Sequence, residues 1–366
     1  MSRLTAWAAG AQFASSGYKM SQKVHDLQEL LVELSEEPGA LPFSKLYAFS
    51  DLAGQNMATF CTAWDRFPPD QRRRLVHSLV ELAEASIQVN FDAIFRYCLG
   101  DPDSEVRATA IDGLWENEEA ALIGPLLAML HNDPSVQVRA AAATGLGRFV
   151  LAGELEQLEA SIETRILTDL LATIHLADES AKVRRRAIES AAYACMPEIS
   201  DILEAAYADD DEEIRLSAIV GMGRSCDTRW REIVLAELNN ASVAMRYEAA
   251  LASGSLELRE AVPILARLLD DADPQVREAA LWSLGQIGGD QAKDALLAAY
   301  EDADEDTQSL LDEALAEHAL TEGNLDFLLY ELDEDYGDDL LDDELYIPWA
   351  DLDQEDDEID QDDEDL

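Results

Sequence analysis

Residues 271–285 read Asp271-Ala-Asp-Pro-Gln-Val-Arg-Glu-Ala-Ala-Leu-Trp-Ser-Leu-Gly285, and weaker copies of this stretch recur along the chain. In each copy an arginine is followed three and four places later by apolar residues, and in all but the Arg246 copy by a third at the seventh place. The copies are Arg107 with Ala110, Ile111 and Leu114; Arg139 with Ala142, Ala143 and Leu146; Arg184 with Ala187, Ile188 and Ala191; and Arg215 with Ala218, Ile219 and Met222. Arg246 with Ala249 and Ala250, and Arg277 with Ala280, Leu281 and Leu284, complete the set. The intervals are 139−107 = 32, 184−139 = 45, and 31 for each of the next three steps. A repeat of that length is the signature of a stacked array.

Offsets of three, four and seven lie on one face of a 3.6-residue helix, so each copy predicts a helix that buries a single stripe. Four residues before the arginines stand Asp103, Ser135, Ser180, Asp211, Ser242 and Asp273, all side chains able to accept a hydrogen bond from a first-turn amide. Pro274 occupies the first helical position, where its missing N–H costs nothing. Between copies runs a second apolar helix, at 123–130, 233–238, 261–269 and 294–300. The unit is a helical hairpin, and the expected fold is an all-α solenoid of stacked hairpins.

The Asp-x-x-Val-Arg-x-x-Ala pattern with its Leu146-Gly147 and Leu284-Gly285 endings resembles the short HEAT-like repeats of the type found in phycobilisome lyases. The resemblance covers residues 66–322. It implies a fold shared by adaptors, chaperone-like proteins and a few lyase-type factors, so the fold leaves the function open.

Around this array the sequence divides further. Residues 1–20 lack a compact leucine or isoleucine run and are read as a disordered extension rather than a signal peptide, with Met20 as an alternative start. Residues 21–65 form an N-terminal helical cap: Leu27, Leu30, Leu31 and Leu34 make one amphipathic stripe, and Phe49, Phe60 and Trp64 supply apolar bulk. Arg72, with Leu75, Val76 and Leu79, begins a first degenerate repeat. The long 45-residue interval is expected to hold an extra turn and loop within 149–165. At the far end Gln308 takes the arginine's place, with Asp304 as cap and Leu311 at the third offset. Residues 323–366 contain no lysine or arginine and are read as a disordered acidic tail.

The formal charge of −51 repels a phosphate backbone, which argues against nucleic acid as a partner. No apolar run reaches the roughly 20 residues needed to span a bilayer, so no membrane partner and a cytoplasmic location are expected. Cys61, Cys98, Cys195 and Cys226 are widely spaced and read as buried, reduced thiols. The five histidines show no metal-ligand spacing, and no nucleotide, nucleophile-elbow or zinc motif occurs. No catalytic residue, metal or cofactor is therefore expected, and the repeated arginines are read as ties between one unit and the next.

One local contrast suggests a surface. Arg185, Arg186, Arg224, Arg229 and Arg231 gather around Trp230 in an otherwise acidic chain, while Tyr247 and Trp282 follow their arginines by one and five places. Arginine and tryptophan are enriched at binding hot spots. Within the tail, Leu345-Tyr-Ile-Pro-Trp349 offers Tyr346 and Trp349 as apolar anchors. The expected function is a monomeric, non-enzymatic scaffold for a protein partner. The alternatives are a phycobilisome-lyase-like maturation factor or chaperone for a chromoprotein, and an acidic nucleic-acid mimic that occupies basic proteins.

Overall fold

The computed structural model describes residues 27–36, 42–300, 303 and 305–321. Every regular element among them is helical. The readings for residues 1–20, Asp304, Tyr346 and Trp349, and for the tail as a whole, lie outside the described residues.

Three helices precede the array: α1 (Leu27–Glu36), α2 (Phe43–Leu46) and α3 (Gly54–Trp64). They pack against one another and onto the start of the array, α1 on α3, α2 on the helix Pro69–Ala85 and α3 on the helix Asp92–Cys98. Phe49 and Phe60 meet edge to face at 5.8 Å, and Phe60 lies 5.4 Å from Trp64. Two bonds fasten this cluster to the repeats: Trp64 Nε1 donates to Asp101 Oδ2 at 2.8 Å, and Gln71 Nε2 donates to the Leu34 carbonyl at 2.7 Å. Both donors are buried, so neither group is left without a partner.

Helices then alternate between two layers. The arginine-bearing layer contains α4 (Pro69–Ala85), α6 (Ser104–Gly113), α8 (Val136–Glu154), α10 (Ala181–Ala191), α12 (Glu212–Arg224), α14 (Val243–Ser255), α16 (Pro274–Ile287) and α18 (Glu305–Thr321). The backing layer contains α5 (Asp92–Cys98), α7 (Ile123–Asn132), α9 (Ala160–His175), α11 (Pro197–Tyr207), α13 (Arg231–Glu237), α15 (Val262–Leu268) and α17 (Asp290–Tyr300). Each arginine-bearing helix packs on the next, and each backing helix packs on the arginine-bearing helix that follows it. The apolar offsets do what the period requires: every residue quoted above at the third, fourth and seventh places after Arg107, Arg139, Arg184, Arg215, Arg246 and Arg277 is buried.

Close stacking is set by small residues. Gly147, Gly223, Gly254 and Gly285 each stand eight places after their arginine and face the next helix of the layer. A Cβ at Gly223 would come within 2.9 Å of the Ala252 Cα, and one at Gly285 within 2.8 Å of the Ala314 carbonyl oxygen. The glycine is thus a measure of how near two backbones pass.

Three expectations need correction. Asp103, Asp211 and Asp273 accept first-turn amides as predicted, but Ser135, Ser180 and Ser242 make no side-chain cap bond. The serine starts are held instead through their own N–H groups, bound to Asp133, Glu179 and Asn240. We therefore expect Asp273→Ala to lose about 1 kcal/mol and Ser242→Ala much less, as read from urea midpoints; equal losses would mean that the aspartate bond contributes nothing. Second, the expected turn within 149–165 is confined to 155–159, and the rest of that stretch is helix, with α8 running to Glu154 and α9 starting at Ala160. Third, Cys195 and Cys226 are exposed and Cys61 half-buried; only Cys98 is buried. Cys195 and Cys226 lie just beyond the ends of α10 and α12, where the chain turns away from the core.

Candidate functional site

The repeated arginines form a ladder of internal ties. Arg107 reaches back with Nη1 to the Asp101 carbonyl at 2.8 Å and forward with Nε and Nη2 to both oxygens of Asp133, each at 2.8 Å. Arg139 repeats this on the Asp133 carbonyl and the Glu179 carboxylate, and Arg246 on the Asn240 carbonyl and the Asp271 carboxylate. Arg72 pairs with Asp101 at 3.2 Å in the same sense. The guanidinium fork matches a carboxylate with two parallel bonds, which fixes one unit's register on the next. Each acceptor also takes the N–H of a nearby residue at the coming helix start. These arginines are therefore committed to the architecture.

Functional candidates lie on the other side of the layer. On a 3.6-residue helix the second, fifth and ninth positions after the arginine point away from the stripe at the third, fourth and seventh, and the first position, held by Arg185, Tyr247 and Glu278, lies along their edge. They form an open face of half-buried residues that includes Arg148, Arg186, Tyr193, Arg224, Glu248 and Trp282.

Part of the predicted constellation comes together there. Arg186 donates to Glu189 Oε2 at 2.5 Å, and Ser217 donates to Glu189 Oε1 at 2.7 Å. Arg224 donates to the Glu189 carbonyl at 2.7 Å and stacks 5.0 Å from the Tyr193 ring centre. Arg185 donates to Ser217 Oγ at 3.0 Å and pairs with Glu213. The patch inferred from arginines alone is thus an interlocked ionic network across α10 and α12, with the Glu189 side chain 4% exposed at its centre. Sequence reasoning missed Glu189, Tyr193 and Ser217. Their offsets of five, nine and two from the arginines were the available signal.

The rest of the constellation separates from it. Trp230 is 2% exposed, so its ring belongs to the core and cannot be a surface anchor. The short 3-10 turn over Thr228–Trp230 folds it inward, leaving Arg229 outside against Asp227 at 2.5 Å. Arg231 faces Glu260 at 3.4 Å. Tyr247 and Trp282 are half-buried on α14 and α16.

Carboxyl groups continue the open face. Burial pushes the Glu248 carboxyl up to about 7; Glu189 adds to the shift, while Arg224, Arg186 and Arg185 oppose it. Burial also raises Glu278. Glu313 is raised by burial first and then by Glu278 and Asp312, and its Oε2 is enclosed with no hydrogen-bond partner. Among the described residues no group of three or more His, Cys, Asp or Glu is arranged to hold a metal ion, and no helix is long and apolar enough to cross a membrane.

Two layers of short antiparallel hairpins, locked by a repeated arginine, define a helical-repeat solenoid. A family model for HEAT repeats matches residues 92–166 and 231–316, so these two stretches of the array are HEAT repeats. The match is to HEAT repeats as a class and does not single out the phycobilisome-lyase type. No curated protein matches the chain. Similar solved structures include the YibA protein of Escherichia coli, at 18% identity over 63% of this chain and 93% of that one, with a TM-score of 0.37. Human deoxyhypusine hydroxylase is similar at 18% identity, 72% and 96% coverage and a TM-score of 0.32. Yeast importin-beta (Kap95p) is similar at 14% identity, with 91% of this chain and 53% of that one covered and a TM-score of 0.41.

Proposed function

We propose that the chain is a non-enzymatic scaffold or adaptor that works as a monomer in the cytoplasm and binds a protein partner on the open face of its arginine-bearing layer. The observation that carries this reading is the half-buried face from α8 to α18, which no described element covers. It combines aromatic rings, Tyr193, Tyr247 and Trp282, with the Arg185, Arg186 and Arg224 cluster. Such amphipathic and guanidinium groups carry most of the energy in protein interfaces. The acidic segment 323–366, with Tyr346 and Trp349, is a second proposed contact.

Affinity capture from the native cell with Tyr247→Ala and Arg186→Ala chains tests the face. A hot-spot truncation costs about 2 kcal/mol, roughly a thirtyfold loss of affinity, so captured partners should fall away. Arg229→Ala, on the outward-turned 3-10 segment, should leave capture unchanged. Retention of all partners by both face variants, with normal helicity, would overturn the reading.

A further inference from the structure

The open face carries a charge order that the net charge conceals. Taking the arginine-bearing layer one helix at a time from α8 to α18, the side chains there include Arg148, Arg186, Arg224, Glu248, Glu278 and Glu313, one on each successive helix. We propose that this face is a polarised groove that takes a partner segment with a cluster of acidic residues at one end and of basic residues at the other, the acidic end lying over α8–α12 and the basic end over α14–α18. This inference rests on the scaffold reading and specifies its partner.

The two halves differ in how their charges are already used. In the arginine half, Arg186 and Arg224 converge on Glu189, one on its carboxylate and one on its carbonyl, so the guanidinium planes are held in place. Arg148 sits 4.7 Å over the Phe149 ring. Preorganised guanidinium groups suit a carboxylate ligand because little side-chain freedom is left to lose. In the glutamate half neither Glu248, Glu278 nor Glu313 has an ion pair among the described residues. Glu313 Oε2 is enclosed and without a donor, an arrangement that costs free energy until a donor arrives. The half-buried Trp282 ring, one turn after Glu278 on α16, passes close to Gly254 and is a surface on which an incoming lysine or arginine can stack.

Dimensions set the partner's length. Six helices of one layer make five steps, and at about 9 Å between neighbouring axes the row is roughly 45 Å long. An extended segment rises about 3.3 Å per residue, so about 14 residues span it. The chain's own residues 323–366 contain no lysine or arginine, so they complement only the arginine half and leave the glutamates unanswered.

Protonation supplies a readout specific to this groove. The groups facing Glu248 are Glu189, Arg185 and Arg186 from α10 and Arg224 from α12; those facing Glu313 are Glu278 from α16 and Asp312 on its own helix. A carboxyl raised to about 7 is partly protonated at neutral pH, and a bound lysine would drive that proton off.

The test uses the full chain and two synthetic peptides of 14 residues with identical composition and zero net charge. One carries three glutamates at one end and three lysines at the other; the second alternates them. Zero net charge removes the general attraction of a −51 chain for cations. We expect the block peptide to bind at least tenfold more tightly, with calorimetric heats that depend on the buffer's ionisation enthalpy. Glu248→Gln/Glu278→Gln/Glu313→Gln should abolish both the preference and the proton release, with circular dichroism unchanged. Equal binding of the two peptides, or a preference that survives the triple change, would overturn the polarised groove. Loss of native partners in the Arg186→Ala and Tyr247→Ala chains alongside equal peptide binding would discard the polarity and keep the scaffold; retention of those partners would discard the scaffold itself.

Discussion

Asp271→Ala is expected to destabilise the array by about 3–5 kcal/mol, the typical cost of breaking a buried ion pair from one side. Asp271 accepts two bonds from Arg246, at 2.8 and 2.9 Å, and a third from the Asp273 N–H at 2.9 Å. The side chains are only 9% and 16% exposed, so water can replace little of what is lost. Urea unfolding against an Asp210→Ala control, a fully surface change, measures the effect. A loss below about 1 kcal/mol would put the pair in the class of ordinary surface salt bridges.

The same carboxylates give a pH signature. Asp103 and Glu179 are held below their usual range chiefly by the side-chain bonds of Arg73 and Arg139, and Asp271 by that of Arg246. For Asp133 burial pulls the other way but is outweighed by Arg107 and the Ser135 N–H. Depressed groups contribute stability that is present above their unfolded values, near 4, and is lost as pH falls through the folded ones. Glu248, Glu278 and Glu313 act oppositely: their contribution is full below the unfolded value and fades as pH rises, for Glu248 through about 7. Stability should therefore rise as pH drops from 8 towards 5 and fall again below 4. A maximum at or above pH 8 would contradict this balance.

Gly223→Ala carries the next largest expected loss, about 1–3 kcal/mol, although alanine is the better helix former by about 1 kcal/mol. Its new Cβ would stand 2.9 Å from the Ala252 Cα, a backbone atom that cannot swing aside, so α12 and α14 must move apart. Gly124, with nothing within 4 Å of the corresponding position, is the counterpart, and alanine there should be neutral or stabilising. Thermal or urea midpoints decide it, and a stabilised Gly223→Ala chain would show that the stack is looser than drawn.

Periodicity made the layers legible because burial at the third, fourth and seventh positions is a local rule that repeats in every unit. The 45-residue interval suggested a longer turn for a related reason: length alone cannot tell a loop from added helical turns, and Phe149 and Val150 simply continue the buried stripe of α8. The ladder was readable because every arginine had acids within reach in sequence. Which acid it bonds was not, since Asp133 lies 26 residues from Arg107 and Glu179 lies 40 from Arg139. Trp230 failed as a surface anchor because residue type carries no direction; the turn that folds it inward follows from Asp227 capping the Arg229 N–H. Glu189 and Ser217 escaped notice because their meaning lies in the adjacent helix.

Viewed as a loaded beam, the stack is not uniform. Four joints carry a rivet of arginine on carboxylate: Arg72 on Asp101, Arg107 on Asp133, Arg139 on Glu179 and Arg246 on Asp271. The rivet is absent between α10 and α12, where Arg184 Nε has no hydrogen-bond partner and the Glu189–Ser217 network with Arg185 on Glu213 takes its place. It is absent again between α12 and α14, because the matching acceptor is Asn240 and Arg215 holds only its own turn, through the Asp209 and Asp210 carbonyls. That joint relies on the close pass of Gly223 over Ala252 and on Tyr207 bonding Glu237 in the backing layer. Under an applied force the array should flex there first, at the border between the arginine and glutamate halves of its open face, so that a ligand spanning both would also splint the one described joint whose acceptor is an amide.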